Sequence, residues 1–324
     1  MKAITKYQYG GPKVLNLENI EKPTVKENHL LVKVKANSIN AADWRIMRGK
    51  PYFARLSFGV LKPKNKILGA DFAGIVEEVG KGITKFKVGD SVFGEMIEGG
   101  AFAEYINAPE KVCGLIPDEK EFIEMASIPM AGLTALQALI THGKLQKGES
   151  VLINGASGGV GHLTIQVAKA YGAHVTAICS HKNVDFVKSI GADKVLAYDI
   201  TSIHQHKERY DLVIDAYGNL NYTDYKRMAK RGVVVGFTNM RHLIPLLLKT
   251  ALKKFPLAQF TAQANTKDLN TLAELIKDNK IKPYIEKKFS YTNVSKAIEH
   301  IESMRTRGKI VLYLTTNHLN NNTI

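Results

Sequence analysis

The chain has 324 residues, 45% of them hydrophobic, and a formal net charge of +15. That length accommodates two domains with sizeable cores, and no run approaches the roughly 18 apolar residues that a membrane span requires. Two cysteines, Cys113 and Cys179, exclude a disulfide framework or a four-cysteine zinc site, and Met1 to Lys6 lacks the apolar stretch of a secretory signal, so a cytoplasmic, reduced protein is expected.

Residues 1 to about 125 read as β-rich. Residues 30–36 and 72–79 have strand character, and Gly80-Lys-Gly82, Val88-Gly-Asp90 and Gly99-Gly100 punctuate the stretch as turns. Short, closely spaced strands suggest a small, partly open barrel rather than a sandwich. Near Ser127 the texture changes: residues 131–140 form a helix with small side chains, and strands then alternate with helices. The strands fall at 151–153, 174–179, 194–197, 212–216 and 233–237, and helices at 163–171, 184–190 and 222–229 lie between several of them. Such alternation gives an α/β fold built of parallel βαβ units, a doubly wound Rossmann sheet.

Residues 243–255 mix apolar and basic side chains, which fits a helix capping the sheet or one lying on a membrane surface. Further helices are expected at 269–276, capped near Thr266, and at 295–304, and a strand at 309–314. The lysines are spread from Lys2 to Lys309 rather than gathered into arms. The charge therefore reads as a generally basic surface, with weak attraction to an anionic membrane surface as the second reading; no aromatic-basic motif points to nucleic acid.

The chemistry-bearing stretch is the turn Asn154-Gly-Ala-Ser-Gly-Gly-Val-Gly161, between a strand and a helix. Bare backbone at a helix start presents unpaired N–H groups and a positive dipole end, so Gly158, Gly159, Val160 and Gly161 can cradle a pyrophosphate. Against the dinucleotide pattern, Gly158 and Gly161 take the second and third glycine positions while Ala156 takes the first. The end of the second strand should meet the adenine ribose, where an acid would hold the 2′-hydroxyl of NAD. Here it carries Ser180 and Lys182, with no acid until Asp185, and this favours the 2′-phosphate of NADPH; alternatively Lys182 is a solvated lysine. Tyr198 either closes the adenine side or packs as a strand end. Thr134 is a candidate for the nicotinamide-side phosphate, and Gly236, Phe237 and Thr238 end a strand at the sheet edge where ligands bind.

In order along the chain, Asn40-Ala-Ala-Asp-Trp44, Gly69-Ala-Asp-Phe-Ala-Gly74, Val88-Gly-Asp90, Ala131-Gly-Leu-Thr-Ala135, the glycine turn, Gly191-Ala-Asp193 and Gly308-Lys-Ile-Val311 together resemble the zinc-free quinone oxidoreductase branch of the medium-chain dehydrogenase/reductase superfamily. The resemblance implies a GroES-like catalytic domain from residues 1–126, completed by a return at 263–324, around a Rossmann domain at 127–262. It further implies an NADPH-dependent reductase of enones, alkenals or quinones, a homodimer, and a site in the cleft between the domains, with Lys309 beside the cofactor. The zinc enzymes of the superfamily carry Gly-His-Glu where this chain has Gly69-Ala70-Asp71, and a cysteine near the Asn40 position, so no metal site is expected. Asn40 is expected to position nicotinamide or substrate and Tyr52 to donate a proton. Asp43 anchors the turn, while Trp44, Met130 and Phe260 are pocket walls or core. Competing readings are an alcohol dehydrogenase acting on carbonyls and an NADPH-binding regulator associated with nucleic acid.

Overall fold

The computed structural model describes residues 1–236 and 240–314, without the side chains of His204 and Met240. The chain forms two compact units: Met1–Ser127 with Lys287–Met304 and the stretch from Ile310, and Ile128–Glu286 with Arg305–Lys309.

The first unit opens with the antiparallel pair β1 (Lys2–Thr5) and β2 (Asn16–Asn19), followed by β3 (His29–Ile39). β3 is the spine of this unit. It pairs antiparallel with β4 (Asp71–Val79), with β6 (Tyr105–Pro109) and, at its carboxyl end, with a late strand, and two register shifts against β4 bend it. β5 (Ser91–Glu95) and β7 (Cys113–Leu115) extend the sheet beyond β4. Between β3 and β4 lies α1 (Ala41–Arg48): Asn40 is extended at its start, and Gly49 ends it at φ 60°, a left-handed value at which glycine escapes the Cβ clash. The short helices α2 (Arg55–Phe58) and α3 (Phe122–Ala126) follow. Leu30, Val32, Ile39, Phe72, Val76 and Val92 fill the core, each side chain contributing about 1.5–3 kcal/mol on burial.

The second unit carries α4 (Pro129–Leu136), then β8 (Ser150–Asn154), α5 (Gly161–Ala170), β9 (His174–Cys179), α6 (Val184–Ser189), β10 (Lys194–Ala197), β11 (Tyr210–Asp215), α7 (Tyr222–Met228), β12 (Ala229–Val234), α8 (Met240–Leu252), β13 (Leu257–Gln259) and α9 (Thr266–Lys277). Its six strands are parallel, in the order β10-β9-β8-β11-β12-β13. Numbered within the unit this is 3-2-1-4-5-6, the doubly wound dinucleotide-binding order, with the central strand leading into the glycine turn. β8 and β11 are buried along most of their length, which is why they read as continuous apolar runs.

β14 (Ile285–Ser290), α10 (Val294–Glu302) and β15 (Lys309–Tyr313) follow, and β15 closes the first unit's sheet by pairing Ile310 with Ile39 and Leu312 with Asn37. The expected return at 263 starts later. Gln137 Nε2 donates to the Gln263 carbonyl at 2.8 Å and to Asp268 Oδ2 at 2.7 Å, tying the segment before α9 to the helical stretch after α4. Residues 263–286 therefore belong to the second unit, and the return begins at Lys287. The start of α9 is capped next to Thr266 by Asn265, whose side chain accepts from Asp268 N. Among the described residues no helix is long and apolar enough to cross a membrane.

Candidate cofactor and active site

In the second unit the turn after β8 packs very tightly. Gly155 takes the left-handed φ of 77° that the turn needs, so the neighbouring Ala156 can occupy the first position of the pattern without strain. Gly161 is fixed by close approach instead: a Cβ there would lie 2.2 Å from the Gly155 carbonyl oxygen and 2.7 Å from Ala156 Cα. Gly158 and Gly159 differ. A Cβ on either meets no protein atom nearer than 3.4 Å, and both are half-buried. The first turn of α5 leaves N–H groups without helical partners beside this bare backbone, so an anion fits there.

A strand far away in sequence completes the cradle. Gly308 N–H donates to the Ser157 carbonyl at 2.9 Å, and Lys309 N–H to the Tyr284 carbonyl at 2.8 Å. This lays the Lys309 side chain, 2% exposed, along Gly159, at 3.5 Å from where a Cβ would stand.

Ser180, at the carboxyl end of β9, meets the turn through a residue that sequence spacing did not single out. The buried Asn183 donates from Nδ2 to Ser157 Oγ at 3.0 Å and to Ser180 Oγ at 3.2 Å, fixing both hydroxyls. Lys182 is exposed in the same single turn, and Tyr198, 57% exposed, follows β10. Asp199, two residues past the end of β10, accepts from His181 N at Oδ1 at 2.7 Å, placing an acid beside the turn that carries Ser180. Thr134 lies on α4, where its hydroxyl donates back to the Met130 carbonyl at 2.6 Å. Gly236 stands past the end of β12, where a Cβ would meet the Ala216 carbonyl oxygen at 2.5 Å. Phe237 and Thr238 lie outside the described residues. Met130 is half-buried, and the Phe260 ring stacks on His142 at 4.1 Å.

Behind the turn, Asn154 Nδ2 donates to Asp215 Oδ1 and to Asn219 Oδ1, both at 2.7 Å, and Asp215 also accepts from Gly218 N and Leu220 N. This buried network locks the carboxyl ends of β8 and β11 at the point where the strand order reverses.

His162, in the first turn of α5, is fully buried; its Nδ1 faces the Gly158 carbonyl at 3.0 Å and its Nε2 accepts from Tyr284 N at 3.2 Å. Burial, with the nearby Lys309 charge, pushes the imidazole down to about 4, so it is neutral in the folded protein. The unfolded chain binds this proton first as pH falls. Stability should therefore decline between pH 6.5 and about 4, by roughly 3 kcal/mol for this group. Urea unfolding across that range checks it: His162→Gln should flatten the slope, and an unchanged slope contradicts the assignment.

In the first unit, Asn40 and Asp71 come together. Asp71 Oδ2, fully buried, accepts from Ser38 Oγ at 2.7 Å and from Asn40 Nδ2 at 2.8 Å. Asn40 N in turn donates to Asp43 Oδ2 at 2.7 Å, so Asp43 caps α1 and fixes the backbone of Asn40. Asp71→Ala removes the buried acceptor that Ser38 and Asn40 share and should cost about 2–4 kcal/mol in denaturant unfolding; a loss within experimental error would contradict this account. Trp44 is half-buried against the core. Tyr52 is 67% exposed in a short turn, with the Arg55 guanidinium 4.9 Å over its ring, so its phenol faces water rather than a dry wall. Among the described residues no group of three or more His, Cys, Asp or Glu side chains is placed to hold a metal ion.

Comparison with known proteins matches residues 26–118 to the alcohol dehydrogenase GroES-like domain and residues 190–312 to the family described as zinc-binding dehydrogenase. A chloroplast envelope quinone oxidoreductase homolog of Arabidopsis thaliana is 32% identical over 96% of this chain and 98% of its own length. An NADPH-dependent alkenal/one oxidoreductase of the same plant is 33% identical over 97% of this chain and 79% of its own. The solved quinone oxidoreductase of Coxiella burnetii superposes with a TM-score of 0.87 at 30% identity, covering 97% of this chain and 99% of that one. The likeness runs through the β-rich unit, the 3-2-1-4-5-6 sheet and the late return alike, and the chain belongs to the quinone oxidoreductase family of the medium-chain dehydrogenase/reductase superfamily, whose members are oxidoreductases.

Proposed function

We propose that the protein is a zinc-independent reductase that uses NADPH to reduce an electron-poor carbon–carbon double bond or a quinone. The observation that carries the cofactor half is Asn183 holding Ser157 and Ser180 together beside the uncovered backbone of Gly158 and Gly159. The substrate class rests on the relatives, one of which is named for alkenals and enones.

NADPH, when bound, supplies the hydride. The chain's residues hold and orient. The backbone from Gly158 to Gly161 and the buried Lys309 take the pyrophosphate, Ser180 and Lys182 the 2′-phosphate, Tyr198 the adenine side, and Gly236 allows close approach at the sheet edge. Asn40, fixed through Asp71 and Asp43, positions the nicotinamide or the substrate. Tyr52 is the chain's candidate proton donor, on an exposed turn where water competes with it.

The zinc enzymes' ligand positions hold Asn40 and Ala70 here, and Asn40 Nδ2 donates to Asp71 Oδ2. Zinc needs three or four N, S or O ligands, which this set does not supply. Reduction of a conjugated double bond suits such a site, because the resulting enolate spreads its charge onto oxygen and needs only orientation and one or two donors. The reading also takes the protein as a homodimer in a reducing compartment, both cysteines being buried free thiols.

Purified, chelator-treated protein given NADPH and a panel of short enones, alkenals and quinones tests this. NADPH oxidation undiminished by the chelator is expected. Activity that vanishes on chelation and returns with zinc, or neither NADPH binding nor oxidation across the panel, overturns it.

A further inference from the structure

α8 is apolar on two faces, and only one of them is accounted for by the fold. Leu243, Leu246 and Thr250 point into the second unit's core and are 6%, 3% and 4% exposed. At 100° per residue, Ile244, Leu248 and Leu252 form a separate stripe, four residues apart, on the opposite side. They are 50%, 60% and 81% exposed in the whole chain. Arg241 lies on this stripe and Lys249 flanks it, and Lys253 and Lys254 follow directly after Leu252 at the helix end; all four are exposed. From Tyr225 to Lys267 the sequence contains no aspartate or glutamate.

An exposed apolar row rimmed by cations in an acid-free segment calls for a partner that is apolar within and anionic at its surface. We propose that α8 docks the protein on an anionic lipid surface. Ile244, Leu248 and Leu252 enter the headgroup–acyl boundary, and the four basic side chains meet the headgroups. A second copy of the chain fits poorly. It would bring four more cations onto the same face, and three side chains offer a few hundred Å² at most, against about 800 Å² per partner in a stable pair. The helix needs no refolding to bind, since its other face already anchors it to the core.

The test is co-sedimentation of the full-length protein with vesicles of phosphatidylcholine alone and of phosphatidylcholine mixed with phosphatidylglycerol. Binding to the anionic vesicles only is expected. Each basic residue near such a surface is worth about fivefold in partitioning, so Lys249→Gln with Lys253→Gln and Lys254→Gln should weaken binding about 100-fold. Leu248→Ser with Leu252→Ser should weaken it more than tenfold. Both variants change exposed side chains, and an unchanged melting temperature verifies their fold. Failure of the wild type to bind anionic vesicles, or equal binding by wild type and both variants, overturns the proposal. So does a fall in sedimentation mass on Leu248→Ser with Leu252→Ser, which would assign the stripe to a second copy.

Discussion

Ser180→Ala combined with Lys182→Ala is expected to weaken NADPH binding roughly 100-fold while changing NADH binding less than threefold. A hydrogen bond to a charged group contributes about 1.5–3 kcal/mol where it is partly buried, as at Ser180, and the exposed Lys182 adds about 1 kcal/mol after solvent screening. Only NADPH carries the 2′-phosphate that both would engage. Asn183→Ala should weaken NADPH by a smaller factor, because it removes the donor that fixes Ser157 and Ser180 without removing either hydroxyl. Fluorescence titration with both nucleotides decides the matter. Equal losses for NADPH and NADH would refute the 2′-phosphate assignment and turn attention to Asp199, the acid that neighbours this turn.

The second large effect separates two glycines of the same turn. Gly161→Val forces side-chain atoms into the Gly155 carbonyl and the Ala156 backbone, neither of which can swing aside, and should cost on the order of 3 kcal/mol or more of stability. Gly158→Ala meets nothing closer than 3.5 Å, so its melting temperature should stay within about 2 °C of the wild type. It nevertheless places a methyl group where phosphate oxygens approach, and NADPH affinity should fall at least tenfold. A Gly158→Ala protein that binds NADPH normally would show that the phosphates do not approach along this backbone.

Much of the framework was legible in the sequence because it is local. The alternation of apolar runs with helical spacing marked β8, β9 and β11, since strands buried on both faces need unbroken hydrophobic stretches, and the partly exposed edge strand β10 by its place in that alternation. The glycine turn announced itself because Gly155 takes a left-handed φ and Gly161 leaves no room for a Cβ. What escaped was non-local. Nothing in the spacing of Asn183 shows that its amide spans the gap between Ser157 and Ser180, and Asp199 reaches the same corner from past the end of β10. The resemblance starts the return at residue 263, yet a buried Gln137 side chain binds that segment to the second unit and the return begins at Lys287. Thr134 was placed on the correct helix, but periodicity cannot show that its hydroxyl turns back on Met130. In α8, the mixture of apolar and basic residues admitted a cap or a surface helix. The structure gives it a buried face and a separate exposed stripe.

The central claim is that hydride passes to the β-carbon of a conjugated system without help from a metal. Its most direct test is the product formed from a short enone with NADPH carrying deuterium at the transferable position. The account predicts a saturated ketone with one deuterium on the former β-carbon. An allylic alcohol with deuterium on the carbinol carbon would show carbonyl reduction instead and would contradict it.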